Sequence, residues 1–262
     1  MARRRKTPSV KKKPVYVMVD VEASGHNVNN SCLLSWAACV VTEEDLSPEE
    51  LKKRGLVYYD ELKPFKFGYD VFSANGPFFK SRNFVRSSMK VGCLGLRCLE
   101  KFKGDRRYNP KSREFDPRLV LDELDKNGTP LTLAVYRIKR WLKKVAGEDG
   151  YTIIGSDTSL FDTPWMKYYF DTFGRGKDVL GHGGYNLHSN WMGIKRRRRV
   201  KKKQMGAKDN RAVAHCAEDD AIYLAKLARI ALYKMCIQPT AQGQCPTTPT
   251  TNMAQTTTGG QK

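Results

Sequence analysis

Five residues with the chemistry of a reaction centre fall in three widely separated places. Asp20 and Glu22 end an otherwise apolar run, Val15 to Val21 (VYVMVDV), and in a strand residues two apart project from the same face. Two carboxylates side by side at the mouth of a buried strand repel unless a cation offsets them. Asp-x-Glu by itself is a weak signal, because any acidic strand end produces it. Asp162 follows a second apolar stretch, Tyr151 to Ile154, at the start of a helical segment where free backbone N–H groups favour an anion. In isolation a structural cap explains it, and Asp157 is a rival acid. The third place is His215-Cys216-Ala217-Glu218-Asp219-Asp220-Ala221. On the helix that follows, Asp220 lies one turn from Ala217 and Leu224 and leans toward the apolar face, whereas Asp219 points the other way. An inward carboxylate is costly unless it binds something. His215, five residues before Asp220, belongs to the lead-in rather than to the same face; a surface His215–Asp219 pair is the bland alternative.

These residues need elements to position them. Val15–Val21 and Cys32–Val41 (CLLSWAACVV) read as strands joined by a Gly/Asn-rich turn, and Val57–Leu62 as a third strand closed by Pro64. Leu131 to Val145 places Ala134, Ile138, Trp141, Leu142 and Val145 on one helical face, with Gly147 as a stop. Tyr151–Ile154 is a short strand, after which Thr163 as N-cap and Pro164 in the first turn predict a helix that Gly174 ends. A last helix is expected from about Glu218 to Lys234, with Ala221, Leu224, Ala225, Ala228 and Leu232 inward. This is a mixed α/β domain without repeats. The stretch 65–130 resolves into no clean period and reads as an irregular or partly helical insertion. Residues 1–13 read as a disordered basic arm and 239–262 as a disordered tail, leaving 14–238 as the folded domain.

Together VMVDVEASG, IIGSDTSLFDTPW and HCAEDDA, the last an H-x-A-x-x-D pattern, resemble the three motifs of the DEDDh 3′-5′ exonucleases. The resemblance extends over most of Val15 to Lys234, with YYDELKP as a third strand and GHGGYNLHSNWMG between the second and third motifs. It implies a ribonuclease H-like fold, a mixed central sheet flanked by helices. It also implies that Asp20, Glu22, Asp162 and Asp220 hold two Mg²⁺ or Mn²⁺ ions and that His215 is the general base; hard oxygen ligands suit these ions. An imidazole, with an ordinary pKa of about 6.5, suits that task at neutral pH. The implied partner is DNA or RNA with a free 3′ end, its terminal sugar contacted by backbone around Ala23, Ser24 and Gly25; His26 stands where relatives usually place an apolar residue against the last base, so it reads equally as a ring stacked on that base or as an exposed loop histidine. Related enzymes often pair, so a homodimer is the assembly suggested. The sequence departs from the pattern in three ways: about 140 residues separate the first two motifs, Ser156-Asp157 replaces the more frequent His-Asn, and Asn186 stands where relatives often have Asp.

Composition agrees with a polyanion partner. The chain carries 47 Lys and Arg against 27 Asp and Glu, a formal charge of +20. Fifteen of these charges sit in two runs without an acid, Met1–Lys13 and Lys195–Lys203. Lys195, Arg196, Arg197, Arg198 and Arg199 lie between the second and third motifs and are expected to guide a phosphate backbone; a nuclear-localisation signal is an equal reading. Seven cysteines without a CxxC pair argue against a disulfide scaffold or zinc finger. No apolar run suits a membrane span or secretion signal, so no membrane partner is expected and an intracellular, cytoplasmic or nuclear place is. A non-catalytic nucleic-acid-binding protein of the same fold is the competing function, disfavoured because a pure binder has no use for carboxylates facing a polyanion.

Overall fold

The computed structural model describes residues 14–28, 31–64, 84–148, 150–176, 179–180, 183–209 and 211–234. The basic arm 1–13, the tail 239–262 and the first part of the insertion lie outside these residues. The alternation that the sequence shows in its first apolar run sets the architecture. In β1 (Pro14–Ala23), Val17, Val19 and Val21 turn to one side and Met18 to the other, the side shared by Asp20 and Glu22. β1 pairs antiparallel with β2 (Leu33–Val40), which pairs antiparallel with β3 (Val57–Glu61). On its other side β1 pairs parallel with β4 (Tyr151–Ser156), and β4 with the two-residue β5 (Tyr185–Asn186). The sheet order is β3-β2-β1-β4-β5. The antiparallel half comes from a meander; the parallel half needs crossovers, which the helices supply.

Each sheet face has its own core. On one, α4 (Leu131–Ala146) and α5 (Asp162–Phe173) pack against the valines of β1, with Trp36 set edge-on to Tyr169 and Phe170. On the other, α6 (Leu187–Lys195) and α7 (Ala217–Arg229) cover Met18, Ala37 and Cys39; Ala217, Ala221, Ala225 and Ala228 keep the packed face of α7 small. α1 (Pro48–Lys53) precedes β3 and has no counterpart in the sequence reading, although Ser47 caps it and Pro48 starts it. Gly147, at φ 74, ends α4 as expected. α5 differs by two residues from its expected start: Phe161 is the N-cap and Asp162 the first helical residue, so Thr163 does not cap it. This puts the Asp162 carboxylate itself in the first turn, where it also accepts from the Val21 N–H at 3.4 Å.

The described part of the insertion forms α2 (Arg86–Gly92), a 3₁₀ turn (Arg97–Phe102) and α3 (Pro117–Asn127) around a third small core of Met89, Cys93, Leu96, Phe115, Val120 and Leu124. Cys32 and Leu34 of the main sheet share that core, so the insertion is built onto the fold rather than tethered to it.

Candidate active site

All five predicted chemical residues line one cleft of about 480 Å³. Asp20 and Glu22 come from the end of β1, opposite Ala37 and Ser35 in the ladder, and a bulge after Glu22 turns the strand away. Asp162 enters from the start of α5 and Asp220 from the first turn of α7. His215 lies just before α7 in the left-handed region, at φ 60, a conformation that a non-glycine residue adopts at some cost. Glu22, Asp220 and His215 bring ligand-type atoms within 4.8 Å of one another. Glu22, Asp162 and Asp220 are buried and His215 is exposed at the edge.

The electrostatics are those of an under-neutralised cluster. Burial, followed by the charges of Asp162, Glu22 and Asp220, raises the Asp20 carboxyl well above its ordinary range. Glu22 is raised by burial and then by Asp220 and Asp162. Asp162 is pushed up to about 7, first by burial, despite the Val21 N–H that favours its charged form. A divalent cation held by these oxygens would relieve all three, and the donor set of carboxylates with one imidazole fits a hard or borderline cation.

Two cations of the chain already face the carboxylates. Lys202 Nζ lies 3.0 Å from Asp157 Oδ2, and its charge lowers Asp20 and Asp162. Arg211 Nη1 donates to Asp220 Oδ1 at 2.5 Å. Asp157, the rival acid, therefore shares the cleft with Asp162 rather than replacing it. The insertion supplies the opposite wall through Ser87, Ser88 and Val91 of α2, and Ser88 Oγ lies 3.3 Å from His26 Nε2. Phe161 stands edge-on to His26 at 6.4 Å. None of Lys202, Arg211, Phe161 or the α2 residues was singled out by sequence. Only the position of Lys202 within the basic run hinted at it.

Of the expected substrate contacts, Ala23, Gly25 and His26 line the cleft and Ser24 does not. Ser24 is fully buried: its N–H donates to the Cys32 carbonyl, its carbonyl accepts from Val85, and its hydroxyl accepts from the Cys32 N–H. These groups are engaged inside the fold, whereas Ala23, Gly25 and His26 border the cleft. Lys195, Arg196, Arg197, Arg198 and Arg199 are exposed at the C-terminal end of α6 and outside the cleft lining; Lys195 sits over the Trp191 ring and Arg196 caps the helix at φ 50. Asn186, at the position where relatives often have Asp, caps α6 by accepting from Ser189 N–H at 2.7 Å.

No protein-family model and no curated protein sequence matches the chain. Solved structures do. The nuclease domain of 3′hExo, a DEDDh family member bound to rAMP, superposes with a TM-score of 0.53 at 12% identity, over 85% of this chain and 93% of that one. The chain has the fold of a DEDDh exonuclease domain. A zinc-bound E. coli exonuclease I–ssDNA complex gives 0.52 at 10% identity, over 87% of this chain but only 42% of that one. The cell-death related nuclease CRN-4 gives 0.50 at 12% identity, over 82% and 62%. At these identities the likeness is one of fold. Among the described residues no helix is long and apolar enough to cross a membrane.

Proposed function

We propose that the protein is a metal-dependent 3′-5′ exonuclease that hydrolyses phosphodiester bonds at the 3′ ends of DNA or RNA. The observation that carries this reading is the convergence of Asp20, Glu22, Asp162, Asp220 and His215 on one cleft, with three carboxyls raised by burial and mutual repulsion. Asp20, Glu22, Asp162 and Asp220 are the residues that would hold two Mg²⁺ or Mn²⁺ ions. Such ions, when bound, polarise the phosphate and lower the pKa of water.

The chain's own groups do the rest. His215, exposed at the edge of the cleft and near Glu22 and Asp220, takes the proton of the attacking water. His26 and Phe161 offer ring surfaces to the terminal base, and the backbone at Ala23 and Gly25 borders its sugar. Lys202 places a cation beside Asp157 and Asp162, where the phosphate chain would otherwise meet only negative charge. The Arg196–Arg199 run draws in the rest of a long strand.

The test is an oligonucleotide panel of DNA and RNA, labelled at either end, with Mg²⁺ and with wild type, D20A and H215A. Stepwise shortening from the 3′ end by wild type alone is expected. Degradation that persists in both variants, or none with any substrate, refutes the reading; tight binding without cleavage would favour the non-catalytic binder.

A further inference from the structure

Arg211 is more tightly engaged than an incidental surface arginine. Its Nε and Nη2 grip Asp209 at 2.8 and 2.5 Å, its Nη1 reaches Asp220 Oδ1 at 2.5 Å, and its guanidinium lies 4.8 Å above the Tyr223 ring. Asp220 is at once one of the three ligand-type residues converging with Glu22 and His215. An arginine that merely oriented a ligand would approach it from behind. Arg211 instead lines the same cleft as Glu22 and His215.

The consequence reaches His215 because Arg211 sits only four residues before it. The Val213 N–H, between them, is anchored on Asp219 Oδ2 at 3.1 Å. The loop that carries His215 is thus pinned to the first turn of α7 by two carboxylates, one of which is a candidate metal ligand. A cation and a guanidinium sharing that carboxylate on one side repel each other. When the Asp220 bond breaks, only the Arg211–Tyr223 stack and the Val213–Asp219 bond still tie this loop to α7, so the loop loosens without being displaced wholesale.

We propose that Arg211 is a latch that competes with the catalytic cation for Asp220, so that loading of the cation releases the His215 loop. Arg211 is a positioning residue here, and the inference rests on the exonuclease reading for the cation it names. Linkage makes the effect reciprocal: whatever loosens the latch tightens cation binding by the same factor.

The test is calorimetric titration of the full chain with Mn²⁺ and no nucleic acid, for wild type, R211K and R211M, alongside amide hydrogen exchange of residues 211–216 in wild type with and without Mn²⁺. R211M is expected to bind Mn²⁺ roughly tenfold more tightly, the order of one charge-assisted hydrogen bond removed from the competition, with R211K between. Exchange of the wild-type loop is expected to speed up with Mn²⁺, a measurement that does not depend on the variants folding. Equal or weaker Mn²⁺ binding by a folded R211M, or loop exchange unchanged or slowed by Mn²⁺, overturns the latch and leaves the exonuclease reading standing. Absence of Mn²⁺ binding by wild type overturns both.

Discussion

Replacing Asp162 by asparagine removes one negative charge from the carboxylate cluster while keeping an acceptor for the Val21 N–H. The Asp162 carboxyl rises from an ordinary 3.8 to about 7 in the native state. The native protein therefore holds this proton more tightly than the unfolded chain does, and stability is lost as pH rises from about 4 to about 7. One pKa unit corresponds to about 1.4 kcal/mol, so Asp162 costs the fold about 4 kcal/mol at pH 8, where it is ionised, and about 2 kcal/mol at pH 5, where folding must first protonate it. Urea unfolding in EDTA should accordingly show D162N more stable than wild type at pH 8, by a few kcal/mol, with the advantage shrinking by about half at pH 5. Asp20 and Glu22 are raised partly by Asp162, so the substitution eases them as well. Mg²⁺ should stabilise wild type more at pH 8 than at pH 5, and D162N less than wild type at either. A D162N protein that is equally or less stable at pH 8 in EDTA would refute the description of the cluster as under-neutralised.

Three further outcomes test other parts of the site. H215Q should lower kcat by roughly 10²–10⁴-fold with oligonucleotide affinity within a few-fold of wild type, measured by single-turnover kinetics and fluorescence anisotropy; a loss under tenfold removes His215 from proton transfer. Gly95 abuts Cys216, the residue after His215, and an added Cβ would lie 2.5 Å from Cys216 Cα. G95A should cost about 1–3 kcal/mol in thermal unfolding and reduce kcat, and neither effect should appear if the insertion and the His215 loop are uncoupled. Changing Arg196 to Arg199 together to glutamine should flatten the dependence of log K on log salt by roughly 0.7–0.9 per lost contact on a long oligonucleotide. A dinucleotide should be cleaved as before; equal losses on both substrates would place the run in the chemical step instead.

How far the sequence could be read depends on the physics of each signal. Asp20 and Glu22 were legible because period-two alternation fixes a strand face, and Asp220 because a carboxylate leaning toward alanines is costly without a partner. The first turn of α5 was placed two residues late: the Thr-Pro pair is a strong local cue, yet the chain starts the helix at Asp162, where the carboxylate also meets β1. α1 went unread although Ser47, Pro48 and Glu50 form an ordinary start, because a six-residue helix with one buried leucine shows no periodicity. The α2 wall was hidden for the same reason: it buries only Met89 and Gly92 and has no cap side chain. The burial of Ser24 was not legible because its hydrogen-bond partners, Cys32 and Val85, are distant in sequence. Arg211 could not be distinguished from its many basic neighbours without knowing where Asp209 and Asp220 lie.

Gly92 and Gly95 bracket the place where the insertion meets the rest of the fold, one against Glu22 at the end of β1 and the other against Cys216 just before α7. The site is consequently assembled from two parts, the sheet with its carboxylates and the smaller lobe with α2, whose own core Cys32 and Leu34 of the sheet complete. Such a division of labour lets the smaller lobe be rewritten, in its aromatic and basic surface, while the glycine seam preserves the fit. If the proposed exonuclease reading holds, which ends are admitted and how bonds are cut then become separable traits of one chain, and a chimera exchanging the lobe across that seam should inherit the first without disturbing the second.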